Sequence, residues 1–143
     1  MGLMRLTHAR PEVTPEASVL DTAQVMARTE IGAIAVRQGR KLAGIFTERD
    51  LLKRVVAQGR DPSTTPIKEV MTTNVATIPE STSVAEAAAI MRARRMRHLV
   101  IVDEDGDYLG ILAQRHLLYE LMSQLAVKVD DLEGYLMADG PGG

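Results

Sequence analysis

The apolar positions of this chain follow one order of spacings and then repeat it. Between residues 17 and 29, Val19, Ala23 and Met26 recur at helical spacing, and between 82 and 95 Val84, Ala87, Ala88 and Met91 do the same. Ser18 and Ser83 stand near the starts of these segments, where a hydroxyl can satisfy a free backbone N–H. A short β-rich run follows each predicted helix, Ala33-Ile34-Ala35-Val36 in the first case and His98-Leu99-Val100-Ile101-Val102 in the second. Turns containing Gly, or Asp and Gly, lead into second strands, Lys41 to Phe46 and Tyr108 to Leu112. Further helices are predicted on two apolar stripes, Leu51, Leu52, Val55 and Val56, then Leu117, Leu118, Leu121, Met122 and Leu125. A short extra strand is expected before the second set, near Val75-Ala76-Thr77. The fold class that follows is α+β.

Aligned on these elements, Ala17 to Ala23 sets against Thr82 to Ala88 and Met26 against Met91, 65 residues apart. Past the hairpins the separation is 66, so Gly44-Ile45-Phe46 meets Gly110-Ile111-Leu112 and Leu51-Leu52 meets Leu117-Leu118. The extra residue falls in the turn, because a one-residue slip inside a strand would reverse its buried and exposed faces. The pattern predicts a pseudo-symmetric pair, residues 8–58 and 70–126, each β-α-β-β-α. Residues 59–69 read as a linker ending in a short helical turn that Pro66 opens. Residues 127–143 read as a helical extension carrying Val129, Leu132 and Leu136, weakened by Gly134, with a frayed tail from Asp139.

Composition removes whole classes of function. A net charge of -2 gives no electrostatic reason to expect a nucleic-acid partner. Cysteine is absent, so disulfides and thiolate metal sites are excluded. No apolar run approaches the roughly 18–20 residues of a membrane span, nor does the N-terminus carry a signal-peptide stretch, so a cytoplasmic location is expected. One Phe, three Tyr and no Trp leave an aliphatic core. Three scattered histidines, with no His-Glu-x-x-His, Gly-x-Ser-x-Gly or Walker loop, point to neither a catalytic metal nor an enzyme. The acids Asp103, Glu104, Asp105 and Asp107 lack EF-hand spacing and read as a charged turn. Arg92, Arg94, Arg95 and Arg97 read first as a solvated helix end, second as a phosphate-binding edge and last as an RNA contact.

The segment Thr47-Glu48-Arg49-Asp50 carries the most specific chemistry. Thr47 is placed at a helix N-terminus, where free N–H groups favour an anion and its hydroxyl can bond a phosphate. Asp50, one turn on, can accept two bonds from ribose hydroxyls, and Arg49 adds charge on the phosphate side. The alternative is that Thr-x-x-Asp is only a capping box.

Gly44-Ile45-Phe46-Thr47-Glu48-Arg49-Asp50-Leu51-Leu52 resembles the strand-to-helix signature of the CBS domain. Val70 to Pro79 resembles that domain's opening, and Arg97 to Asp103 its central strand in the second copy. The resemblance covers about residues 10–125 and implies a stand-alone tandem pair of CBS motifs packed through their sheets, with two clefts for adenosyl ligands. It further implies that adenine is held by backbone of Thr72, Thr73, Asn74, Val75, Ala76 and Thr77, with Ile31, Gly32 and Ala33 as another wall. Ordinary close packing is an equal explanation of Gly32 and Ala33. In the second cleft Ala113 and His116 stand where the first has Thr47 and Asp50, and Arg10-Pro11 where the first has Val75-Ala76. Arg97 and His98 are expected at that second cleft, a degenerate site that is empty or changed in preference. Solvated surface histidine is the alternative for His98 and His116. The function implied is a non-catalytic regulatory module that senses AMP, ADP or ATP, needs no cofactor, and signals through a homodimer to an effector protein the sequence does not name. A ligand-free dimerisation module is the alternative, as is sensing of S-adenosylmethionine or an NAD-type ligand.

Overall fold

A computed structural model describes residues 3–7 and 11–138. Arg10 and the tail from Asp139 lie outside them. The chain forms β1 (Glu12–Val13), α1 (Val19–Thr29), β2 (Ala33–Gln38), β3 (Lys41–Thr47) and α2 (Glu48–Asp50), which runs on into a π-helical stretch, Leu51–Val56. The second copy supplies β4 (Thr77–Pro79), α3 (Val84–Arg94), β5 (His98–Val102), β6 (Tyr108–Ala113) and α4 (Gln114–Ala138). Single 3-10 turns, Leu3–Leu6 and Ile67–Glu69, precede the two sets. Ser18 and Ser83 cap α1 and α3, accepting from the amides of Asp21 and Glu86. The extra strand of the second copy begins at Thr77, two residues later than the sequence suggests. Val75 and Ala76 remain outside the ladder, with only the carbonyl of Ala76 taking the Val100 amide.

Each sheet has three strands, with the first parallel and the third antiparallel to the central one. Both hairpins shift register at the same place, after Val36 and after Ile101. The strand period of two separates the cores. Ile34, Val36 and Phe46 face the first pair of helices, and Leu99, Ile101 and Leu112 the second. Ala35, Ile45, Val100 and Tyr108 point the other way and form a third cluster where the sheets meet. The segment read as a linker completes the first core, since Ile67 and Val70 are buried in it. Leu3, from the other 3-10 turn, is buried in the second core.

One expectation about the outer helices needs correction. On the first stripe only Val55 is fully buried, while Leu52 and Val56 are exposed. The wider π turn spreads those side chains over more of the helix surface than α spacing would. The expected helical extension is present, since α4 continues through Gly134 to Ala138.

Candidate functional site

Two clefts open where the sheets meet, and a backbone contact builds the first. Thr72 and Ile45 exchange both amide hydrogen bonds, at 2.8 and 2.9 Å. A Cβ on Gly44 would lie 2.5 Å from the Thr72 carbonyl, so glycine is what lets the crossing segment lie against β3. That crossing lays Thr72, Asn74, Val75 and Ala76 along one wall of the cleft. The end of β3 and the start of α2 supply Ile45, Thr47, Glu48 and Arg49, and the far wall is Arg95, Met96, Arg97 and His98.

Thr47 and Asp50 form a reciprocal capping box: the Thr47 hydroxyl accepts from the Asp50 amide, and Asp50 Oδ2 accepts from the Thr47 amide, both at 3.1 Å. Thr72 Oγ1 donates to the same carboxylate at 3.0 Å, and Arg54 Nε stands 3.5 Å from Oδ1. Asp50 is therefore 6% exposed and sits behind the cleft wall, holding Thr47 to Thr72. Asp50 is not among the residues that line the cleft, and its carboxylate, expected to face a ribose, is engaged by Thr47 and Thr72 instead. Thr47 does line the cleft, and its hydroxyl donates to nothing among the described residues.

The structure exchanges the strand starts assigned from sequence. Arg97 lines the first cleft and Ile31 and Ala33 the second, whereas Gly32 and His98 border both, His98 thus standing at the second cleft as expected. The cause is the pseudo-two-fold axis. Each cleft combines the helix start of one copy with the central-strand start of the other. Thr77 is paired in β4 and lines neither cleft.

This exchange concentrates charge. Arg49, Arg95 and Arg97 surround the first cleft, and no side chain among the described residues pairs with any of the three guanidinium groups. Arg95 and Arg97 thus belong to the cleft, whereas Arg92 and Arg94 are simply exposed. Arg95 ends α3 with a left-handed φ of 53°. At the equivalent places the second cleft has Arg115, Glu30 and Gly32, and Arg115 is already spent on the Glu30 carbonyl at 2.7 Å.

The second cleft is narrowed beside Tyr108. The space there is about 40 Å³, next to one of about 320 Å³ that shares Gly32, His98, Ala113 and Arg115, against about 260 Å³ for the first cleft. Tyr108 lines the narrow space, with Arg37 stacked 5.4 Å from the ring centre, and Pro11, Ala113 and His116 complete the lining. His98 lies between the clefts and is not a solvated histidine. Burial, reinforced by Arg115, Arg97 and His116, pushes its pKa down to about 4. It is a neutral imidazole at ordinary pH. The acidic turn is explained by its own bonds, because Asp103 Oδ1 accepts from the amides of Asp105 and Asp107.

Comparison with known proteins agrees with this fold. The CBS domain profile matches residues 7–57 and again 67–123. The CBS domain-containing protein YhcV of Bacillus subtilis is 35% identical over 111 residues, 78% of either chain. Other relatives are longer: the chain spans 20% of CBSCBSPB1 of Arabidopsis thaliana, at 34% identity. A structure of a protein with CBS domains from Burkholderia ambifaria superposes with a TM-score of 0.76 at 33% identity, covering 86% of this chain and 95% of that one. A CBS domain protein from Pyrobaculum aerophilum, complexed with AMP, gives 0.73 at 25% identity, covering 86% and 99%. No helix among the described residues is long and apolar enough to cross a membrane.

Proposed function

The chain belongs to the CBS-domain family, with two copies in tandem, and from that premise we propose that it is a non-catalytic regulatory module binding an adenine nucleotide in its first cleft. The observation that carries this reading is the set of three guanidinium groups, Arg49, Arg95 and Arg97, without side-chain partners among the described residues, around a cleft that also presents the apolar Ile45, Val75 and Ala76. Unpaired cations over a concave surface suit a phosphate group, to which arginine can bond through two N–H donors at once. The Thr47 hydroxyl adds a further donor on the same side. Ile45, Val75 and Ala76 offer an apolar slot for the base, with backbone of residues 74–76, which lie outside the strand ladder, at its edge. The AMP-bound relative from Pyrobaculum aerophilum supports the same ligand class.

Asp50 acts as a positioning residue in this scheme, keeping Thr47 and Thr72 in place. Three arginines exceed what one phosphate requires, so ADP and ATP fit at least as well as AMP. S-adenosylmethionine, which has no phosphate, would leave those charges unsatisfied. Occupancy joins the helix start of one copy to the strand start of the other, and that difference is what a homodimer would pass to an effector protein.

Calorimetric titration with adenosine, AMP, ADP and ATP tests the reading. Affinity is expected to rise along the series, and Arg97→Ala to weaken ATP roughly 10- to 100-fold, the loss of one charge-assisted contact of about 1.5–3 kcal/mol. Equal affinity for adenosine and ATP, or no heat with any of them, would overturn it. A ligand-free dimerisation module is the second reading, favoured by the fully engaged Asp50 carboxylate. It predicts an unchanged unfolding midpoint with every nucleotide.

A further inference from the structure

Helix α4 outgrows the domain it belongs to. Its first turns are anchored, with Leu117 buried in the second core. From Met122 onward every residue whose burial is described, to Leu136, is exposed. The free part, 122–138, is about 25 Å long at 1.5 Å per residue. A helix of that length, carrying Gly134 and two valines, is marginal in water unless an apolar face is covered. The family profile ends at residue 123, so this segment is not part of the common fold.

The exposed apolar residues are not scattered. Leu118, Met122, Leu125, Val129, Leu132 and Leu136 follow one another at intervals of four, three, four, three and four, and each is between 51% and 65% exposed. That is an unbroken heptad seam, with leucine at every d position and β-branched Val129 at the central a position, the combination that favours two parallel strands. Polar Ser123, Gln124, Asp130 and Asp131 occupy the outer positions. Among residues 122–136, Val127 is the one large apolar residue that the seam and its flanks do not cover.

We propose that α4 pairs with α4 of a second copy as a parallel, in-register coiled coil along this seam. Charge selects both the occupant and the direction. Lys128 falls at g and Glu133 at the e position five residues on, so a parallel pair sets Lys128 of each copy beside Glu133 of the partner subunit, twice by symmetry. An antiparallel pair would set g against g and e against e, leaving Lys128 opposite Leu121, Lys128 or Tyr135 and bringing no acid to it. Asp130, Asp131 and Glu133 against one lysine make the segment a poor match for an anionic lipid surface. The pairing stands whether or not the cleft takes a nucleotide. Because α4 starts at Gln114 beside the clefts, one continuous helix joins them to the seam.

The chain lacks cysteine, so single cysteines report the register directly. Val129→Cys should crosslink to itself with a short bismaleimide, and Asp131→Cys, on the outer face, should not. In sedimentation equilibrium the full chain should be a dimer at micromolar concentration. Leu125→Lys/Leu132→Lys should weaken it on the order of 100-fold or more, since charges would be buried at the seam. Lys128→Glu should weaken it and Lys128→Glu/Glu133→Lys should restore it. A wild-type monomer at about 100 μM, a dimer indifferent to the two lysines, or equal crosslinking at 129 and 131 would each overturn the proposal. Circular dichroism of the lysine variant guards against misfolding, because both positions lie outside the core.

Discussion

Arg95 is held in a backbone conformation that glycine or asparagine normally occupies at a helix end. For a side chain with a Cβ that conformation is unfavourable by about 1 kcal/mol or more. What the arginine contributes instead is a guanidinium at the mouth of the first cleft. Arg95→Gly is therefore expected to raise stability by about 0.5–1 kcal/mol while weakening ATP binding, effects of opposite sign that thermal unfolding and calorimetry read separately. His98 gives a second prediction at this scale. Its folded pKa of about 4 lies below the ordinary 6.5, so between those values the unfolded chain binds the proton and the folded one does not. Stability should consequently fall as the pH drops from 6.5 toward 4, by on the order of 2 kcal/mol, and be unaffected by this group above 6.5. His98→Gln should remove that part of the slope in unfolding curves recorded across the window.

Among elements, the junction of β3, α2 and the Thr72 segment decides whether there is a site. Gly44→Ala would drive a methyl group into the Thr72 carbonyl, opening the bridge to Ile45. A loss of about 1–3 kcal/mol is expected, with nucleotide affinity falling alongside, by denaturant unfolding and titration of the same sample. Asp50→Asn should act through the same junction, weakening the capping box and the Thr72 bond, so its effect on binding should track its effect on stability. The helices α1 and α3 and the two hairpins were legible because their apolar periods and Ser caps are local signals. The π turn, the late start of β4 and the burial of Ile67 were not, because each depends on what the segment packs against.

For the molecule as a whole, the asymmetry between clefts predicts one nucleotide per chain. In the second cleft Ala113 and His116 stand in place of Thr47 and Asp50, Tyr108 narrows the space, and the Arg115 guanidinium is held by the Glu30 carbonyl. Titration should give a stoichiometry near one, and Arg97→Ala should diminish that single transition without revealing a second. The sequence determined the tandem repeat, the α+β order and the loss of Thr and Asp in the second copy, since these are carried by residue identity and spacing. It also carried Thr47 to the right cleft. Which copy's strand start serves which cleft was decided only by the pseudo-two-fold packing of the sheets, which brings Arg95, Arg97 and His98 across to Thr47. Asp50 is turned inward by the Thr47 amide and the Thr72 hydroxyl, with Arg54 one helical turn on, and of these only Thr72 is distant in sequence and brought to the carboxylate by the fold.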